Sequence, residues 1–189
     1  MLDRLIANWV YGGFLAGLLL LALTPVITHS WSQPVALTFL CLPIYMLHQY
    51  EEHDNGRFGR FVNDRICKGR NGLSPWVIFL VNIPLVWGVI GLSFALAATV
   101  DCGFGLISVY LVGVNAAIHI VTAIIYRTYN PGLLTAVFLF VPLAVFAFHS
   151  MQQAGIGTLP MHILGVAVTI AIHAALVIHV MDRSGQRVA

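Results

Sequence analysis

The stretch His48-Gln49-Tyr50-Glu51-Glu52-His53 places imidazole and carboxylate groups side by side at the end of a long apolar run. In a helix, His48, Glu51 and Glu52 stand at i, i+3 and i+4 and share one face. We expect His53, at i+5, to point away from that face toward an aqueous loop. Each ionised group costs about 3 kcal/mol to place inside a bilayer on insertion scales. The stretch therefore predicts a functional site in which these groups bind a metal ion or transfer protons.

Further polar residues stand alone inside later apolar runs, among them Asn115, His119 and His173. Imidazole and carboxylate ligands suit zinc, iron or manganese, so we predict a divalent metal ion, zinc or iron. The predicted metal ligands are His48, Glu52, His119 and His173, and the predicted catalytic residues are Glu51, Glu52 and Asn115. Either glutamate could act as general base on a metal-bound water, and Asn115 could orient a ligand or donate to an oxyanion. A metal-free polar cluster is the alternative.

The composition identifies the class of protein that carries these residues. The chain has 189 residues, of which 59% are hydrophobic and 8% charged, whereas soluble domains have about 25% charged residues. We therefore expect an integral membrane protein whose partners are the bilayer and apolar molecules, and not nucleic acid. The cysteines Cys41, Cys67 and Cys102 form no CxxC pair, which argues against a disulfide framework or a thiolate metal site.

Long apolar runs predict the elements that must position the site. A helix crosses a bilayer with about 20 apolar residues. The predicted spans are 7–29, 34–53, 75–99, 104–126, 132–152 and 160–181. Ser74-Pro75 is typical of a helix start, and Asn130-Pro131-Gly132 separates the fourth span from the fifth. The sequence thus predicts an all-α fold, a polytopic six-transmembrane-helix bundle, formed as a single domain over 1–189.

The distribution of basic residues predicts the orientation. With six spans, the chain ends, the 54–74 loop and the 127–131 loop lie on one side, and these segments hold all nine basic residues. Cytoplasmic segments carry an excess of lysine and arginine. We therefore predict that both termini and the 54–74 loop are cytoplasmic.

This orientation converts position along each span into depth. Measured from the polar or charged residue at the cytoplasmic end of each span, His48, Asn82, His119 and His173 all lie roughly 12–13 Å deep, at 1.5 Å per residue. The predicted pocket is walled by the second, fourth and sixth spans. Asn82 of the third span either lines this pocket or, more simply, joins two helices by a hydrogen bond.

Two motifs carry a resemblance to a known family. His48-Gln49-Tyr50-Glu51-Glu52 reads HxxEE, Tyr129-Asn130-Pro131-Gly132 reads YxPG, and His119 lies between them. In this combination the chain resembles the bacterial HXXEE-motif membrane proteins, which implies a helical bundle in a bacterial inner membrane and supports the same site positions. The function of that family is undefined. We expect Pro131 and Gly132 to form a tight turn, and Tyr129 remains open as a hydroxyl at the pocket rim.

The leading functional hypothesis is a metal-dependent membrane enzyme, hydrolytic in type, that acts on a lipid-like or apolar substrate at the cytoplasmic leaflet. The same cluster leaves three alternatives open: a di-iron oxygenase or oxidase, a metal-free isomerase that shuttles protons between Glu and His, and a cation or proton transporter. A transporter needs polar residues through the whole bundle. The far halves of the second, fourth and sixth spans are almost wholly apolar apart from His162. This lack of a polar path disfavours the transporter. The residues give no indication of the oligomeric state.

Overall fold

Six long helices account for most of the described part of the chain. The computed structural model describes residues 1–183 and 185, and this part of the chain contains no strand. The helices are α1 Leu2–Ile27, α2 Gln33–His53, α3 Pro75–Thr99, α4 Cys102–Tyr126, α5 Leu133–Gln153 and α6 Leu159–Arg183. Each covers one of the predicted apolar runs, so the all-α prediction is confirmed.

Five of these helices are long and apolar enough to cross a membrane, namely α1, α3, α4, α5 and α6. The remaining helix, α2, has 21 residues, and its last two turns carry the ionisable cluster that begins at His48. Large apolar side chains are exposed on the outer faces of the bundle, such as Leu19 of α1 and Phe138 of α5. Such surfaces match hydrocarbon rather than water.

One end of the bundle gathers the chain segments that were predicted to share a side. Tyr11 donates a hydrogen bond to Asp54 Oδ1 at 3.0 Å, which places the start of α1 beside the end of α2. A Cβ atom added to Gly72 would lie 3.3 Å from Val180, so the end of α6 contacts the 54–74 segment. Arg187, one of the basic residues assigned to this side, lies outside the described residues.

Close helix packing positions α2 inside the bundle. A Cβ atom on Gly17 of α1 would lie 2.8 Å from the Leu47 side chain and 3.0 Å from the Pro43 carbonyl oxygen. Small residues of this kind let membrane helices approach closely. On its other side α2 faces the main apolar core, in which Ile90, Leu106 and Phe140 are fully buried. Consequently α2, which carries the HxxEE residues, is enclosed by the other helices.

The 54–74 segment is more ordered than the prediction of an aqueous loop implies. After a turn at Asn55 and Gly56, which both have positive φ, a short loop helix covers Arg57–Phe61 and continues as a π turn over Val62–Ile66. The Asn63 side chain then accepts hydrogen bonds from the backbone N–H groups of Gly72 and Leu73 at 3.0 and 2.9 Å. The segment therefore folds back over the end of the bundle and closes it.

A buried hydrogen-bond network joins α2 to α3. Gln49 is fully buried; its amide N–H donates to Asn82 Oδ1 at 2.8 Å, and its amide oxygen accepts from Trp87 Nε1 at 2.6 Å. Asn82 also donates to the Ile78 carbonyl at 2.8 Å. The expectation that Asn82 joins two helices is thus confirmed, and Asn82 also lines an internal cavity between α2, α3, α4 and α6.

Replacing Gln49 with leucine is expected to destabilise the bundle. The change leaves the Asn82 oxygen and the Trp87 N–H without partners, and an unsatisfied buried group costs about 1–3 kcal/mol. Thermal unfolding in detergent measures the effect. The control is Gln153→Leu, which makes the same exchange at an exposed position on α5. Equal melting temperatures for the two variants would contradict the structural role of Gln49.

Candidate metal centre

His48, Glu52 and His119 meet in the interior, at the end of the bundle that the 54–74 segment closes. His48 is fully buried, and Glu52 and His119 are each 5% exposed. The Nε2 atom of His48 lies 3.6 Å from Glu52 Oε2, and the Nε2 atom of His119 lies 3.5 Å from Glu52 Oε1. One ligand atom from each residue lies within 4.8 Å of the others, a spacing that could hold a metal ion. These three residues are among the four predicted ligands.

Thr135 determines which nitrogen of His48 carries a proton. The Thr135 hydroxyl donates to Glu51 Oε2 at 2.5 Å. The hydroxyl oxygen of Thr135 also lies 2.9 Å from His48 Nδ1. Because the hydroxyl proton is used by Glu51, the oxygen acts as acceptor and His48 Nδ1 is the donor. A neutral His48 therefore directs the lone pair of Nε2 toward Glu52.

Asn130 fixes His119 in the same way. The Asn130 amide N–H donates to the His119 carbonyl at 2.9 Å, which orients the side-chain amide. Its amide oxygen lies 2.6 Å from His119 Nδ1 and can only accept, so Nδ1 is the donor. A neutral His119 thus also presents the lone pair of Nε2 to the Glu52 carboxylate.

Two lone pairs and a carboxylate that face one another repel unless a metal ion or a proton lies between them. Distances of 3.5 and 3.6 Å are too long for good hydrogen bonds, and His48 Nε2 is buried without a hydrogen-bond partner. Tetrahedral zinc with bonds of 2.0–2.1 Å places its ligand atoms about 3.4 Å apart. The donor set of two imidazoles and one carboxylate also occurs at zinc and non-haem iron sites. The chemistry and spacing of these groups therefore fit a divalent metal ion.

Glu51 has a different environment from Glu52. Its Oε1 accepts from Tyr129 OH at 2.8 Å and from the Leu134 backbone N–H at 3.0 Å, and its Oε2 accepts from the Thr135 backbone N–H at 2.7 Å. These N–H groups belong to the first turn of α5, where a carboxylate satisfies unpaired donors and complements the helix dipole. Glu52 belongs to the three-residue group, whereas both oxygens of Glu51 are engaged by α5. The predicted catalytic roles of the two glutamates stay predictions.

The YxPG turn contacts both Glu51 and the histidines of the group. Burial and the hydrogen bond to Glu51 raise the pKa of Tyr129 to about 12, so its hydroxyl remains a donor at physiological pH. Gly132 has φ +100°, and a Cβ atom there would lie 2.7 Å from His119 Cε1 and 2.8 Å from His48 Cε1. The backbone at Gly132 supports the expected turn. Its contact with both imidazoles was not predicted, because the sequence does not show that this turn packs on them.

A cavity of about 350 Å³ adjoins the group and is lined by α2, α3, α4 and α6. His173 lines this cavity but lies outside the three-residue group; its Nδ1 hydrogen-bonds the Thr169 carbonyl at 2.9 Å. Asn115 also lines the cavity, and its amide N–H donates to Tyr45 OH at 2.9 Å. The structure thus brings His173 and Asn115 to the same cavity, and their predicted roles stay predictions.

His53 was predicted to point away, and this expectation is wrong. His53 is 6% exposed, and its Nε2 lies 3.0 Å from Glu52 Oε2. At His53 the backbone leaves ideal helical geometry, with φ −111° and ψ −6°. The i+5 rotation therefore no longer applies, and the ring turns back between Trp9 and Phe58. Helical spacing alone contains no signal for this departure.

Thr135 and Asn130 are the other residues that the sequence analysis missed. Neither is a typical metal ligand, and each acts by holding a histidine. Asn130 stands inside YxPG, so its place in the motif is the one available signal. Thr135 has no signal of this kind, because its contacts to His48 and Glu51 join residues more than 80 positions apart.

A family model described as "protein of unknown function with HXXEE motif" matches residues 39–147, which is more than half of the chain. The chain belongs to the HXXEE family. The resemblance noted from HxxEE and YxPG is thereby confirmed. No curated protein and no solved structure matches the chain.

The part of the chain that matches the HXXEE family contains the complete group. His48, Glu52 and His119 lie within 39–147, as do Thr135 and Asn130, which hold the two imidazoles. His173 lies beyond the matched residues. In three dimensions, the HxxEE and YxPG motifs therefore form one unit in which the first supplies candidate ligands and the second packs against them.

Proposed function

We propose that this HXXEE-family protein is a metal-dependent enzyme of the bacterial inner membrane that hydrolyses an apolar, lipid-like substrate. Its six helices span the membrane, and both termini lie in the cytoplasm. A divalent metal ion is held by His48, Glu52 and His119. The observation that carries the proposal is the pair of Nε2 lone pairs, at 3.6 and 3.5 Å, aimed at a single buried carboxylate.

The chemistry follows from this ligand set. When bound at two imidazoles and one carboxylate, a zinc ion lowers the pKa of a coordinated water to about 7 and so supplies a nucleophile at neutral pH. Tyr45 lines the cavity, and its hydroxyl accepts a hydrogen bond from Asn115 at 2.9 Å. The Tyr45 proton is therefore available to a substrate oxygen in the cavity. Donors of this kind stabilise the charge that develops in acyl transfer.

The cavity lining supports an uncharged substrate. Apolar side chains make up most of the wall, including Phe61, Val86 and Leu176, and no lysine or arginine lines it within the described residues. A phosphate headgroup would lack a basic partner there. Ile118 and Val177 line the cavity and are 42% and 55% exposed on the apolar outer surface, which supports access from the lipid phase.

A mononuclear iron oxygenase is the second candidate. Two histidines and one carboxylate with open positions are also the ligand set of non-haem iron oxygenases. The di-iron version of this hypothesis has less support, because both Glu51 oxygens are held by α5 and are not available to bridge a second ion. Metal identity separates the two candidates.

Elemental analysis of protein purified from membranes without chelators tests the proposal. We expect about one ion per chain, since the group offers three ligands around one position. Zinc supports hydrolysis and iron supports oxygenation. Hydrolysis of uncharged long-chain esters should stop on chelation and return when the metal is restored. Turnover that survives exhaustive chelation in metal-free protein overturns the proposal and favours the metal-free isomerase.

Replacing Thr135 with valine is expected to weaken metal binding about 10–100-fold, the usual effect of removing the partner that orients a ligand histidine. Valine keeps the shape of threonine but removes the oxygen that accepts from His48 Nδ1. Competition with a chromogenic chelator measures the affinity. Thr135→Ser keeps the hydroxyl and should restore binding. If serine and valine weaken binding equally, the hydroxyl does not hold His48.

A further inference from the structure

A second cavity meets the candidate metal centre at His53. This cavity has a volume of about 520 Å³ and lies between the start of α1 and the 54–74 segment. His53 and Leu73 line both this cavity and the apolar cavity, so they form the partition between them. The two spaces therefore approach Glu52 from different directions.

The walls of the second cavity differ from those of the first. Asp3, Arg60 and Asn63 line it, and both Asp3 and Arg60 are exposed residues at the end of the bundle that carries the basic loop. The apolar cavity has its exposed lining at Ile118 and Val177, within the membrane-crossing part of α4 and α6. One cavity thus faces the aqueous end, and the other faces the apolar side of the bundle.

His53 is a buried side chain whose hydrogen-bonding capacity is not fully satisfied. It is 6% exposed; its Nε2 has the 3.0 Å contact to Glu52 Oε2, whereas its Nδ1 has no hydrogen-bond partner among the described residues. Buried polar groups are hydrogen-bonded in more than about 90% of cases, to protein or to ordered water. Most of the second cavity's wall is apolar, but the cavity opens at the exposed Asp3 and Arg60 and has room for water, which would supply the partner that His53 Nδ1 lacks. The rings of Trp9 and Phe58, with centroids 5.3 and 5.4 Å away, keep His53 at the partition.

We infer that the cavity bounded by Asp3, Arg60, Asn63 and His53 is a water-binding site that supplies water to Glu52 from the aqueous end of the protein. His53 Nε2 lies 3.0 Å from Glu52 Oε2, so water held on the His53 ring is one side chain away from the metal-binding group. Water and the apolar substrate then reach the centre by separate routes. The use of this water in hydrolysis rests on the proposed function, whereas the water route itself does not.

Cysteine accessibility tests the route without requiring metal or activity. In a His53→Cys variant in membranes, a small cationic methanethiosulfonate reports whether hydrophilic molecules reach the partition, and peptide mass spectrometry separates this thiol from the native cysteines. Two tryptophan variants on α1 complete the experiment. Ala7→Trp fills the second cavity from its exposed wall, and Ala16→Trp adds the same side chain at an exposed position that lines neither cavity.

We expect the cysteine at position 53 to react with the hydrophilic reagent, and Ala7→Trp to slow the reaction at least about tenfold, because thiol reactivity follows access. Ala16→Trp should leave the rate unchanged. Reaction only with an uncharged, membrane-permeant maleimide overturns the inference, since that result places access on the apolar side. An equal rate in the two tryptophan variants overturns it as well. If the purified protein contains no metal but the labelling results are as expected, the proposed function is refuted and the water route is supported.

Discussion

Protein carrying His119→Ala is expected to lose its bound metal, with less than about a tenth of the wild-type content after purification. A three-ligand site that loses one ligand keeps two, and buried catalytic metal sites depend on three protein ligands. The change also leaves the Asn130 amide oxygen without its 2.6 Å partner. Hydrolysis of the apolar ester should fall with the metal content. Elemental analysis and turnover, measured on the same preparation, check both expectations.

The control for this variant is His149→Ala. His149 is an exposed histidine on α5 and lies outside the three-residue group, so its loss removes an imidazole without touching the site. We expect full metal content in that protein. His48→Ala should behave like His119→Ala, because His48 Nε2 faces Glu52 at a closely similar distance of 3.6 Å. Wild-type metal content in both His48→Ala and His119→Ala would show that the ion, if present, binds elsewhere.

Gly132→Ala is expected to damage both stability and the site. Gly132 has φ +100°, and at this φ any amino acid with a Cβ atom is strained, at a cost of about 1–3 kcal/mol. The added methyl would also lie 2.7 Å from His119 Cε1 and 2.8 Å from His48 Cε1, so at least one imidazole must move. We therefore expect a lower melting temperature together with weaker metal binding. Thermal unfolding in detergent and chelator competition measure the two effects.

Gly91→Ala is the matched control, because it makes the same exchange inside α3 where no atom lies within 4 Å of the added methyl. Alanine favours a helix over glycine by about 1 kcal/mol, so this variant should be as stable as the wild type or slightly more stable. If Gly132→Ala unfolds at the wild-type temperature and keeps its metal affinity, then the YxPG turn does not pack on the histidines as the structure describes.

Helical periodicity was sufficient to identify the candidate ligands on α2 but not to assign the glutamates. His48, Glu51 and Glu52 share a face at i, i+3 and i+4, and both carboxylates satisfy that geometry equally well. Contact with α5 distinguishes the two glutamates. The backbone N–H groups of Leu134 and Thr135, in the first turn of α5, donate hydrogen bonds to Glu51. The remaining carboxylate, Glu52, is the one that faces His119.

The aqueous end of the bundle shows a second limit of sequence analysis. The charged residues of 54–74 predict exposure to water, and the basic ones indeed lie at that end. Phe58, Val62 and Leu73 nevertheless pack inward from this segment and line the apolar cavity. A charge pattern indicates which side of the membrane a loop occupies, but it does not reveal how the loop folds over the helices.

By itself, the sequence determined the helices, their approximate ends and the common level of the bundle at which His48 and His119 lie, because apolar length and the rise of a helix are local properties. Only the tertiary structure decided what those residues contact. The hydrogen bonds from Thr135 and Asn130 that fix the two imidazoles, the capping of α5 by Glu51 and the inward turn of His53 all depend on neighbouring elements. Such contacts join residues far apart in the chain, and no local pattern specifies them.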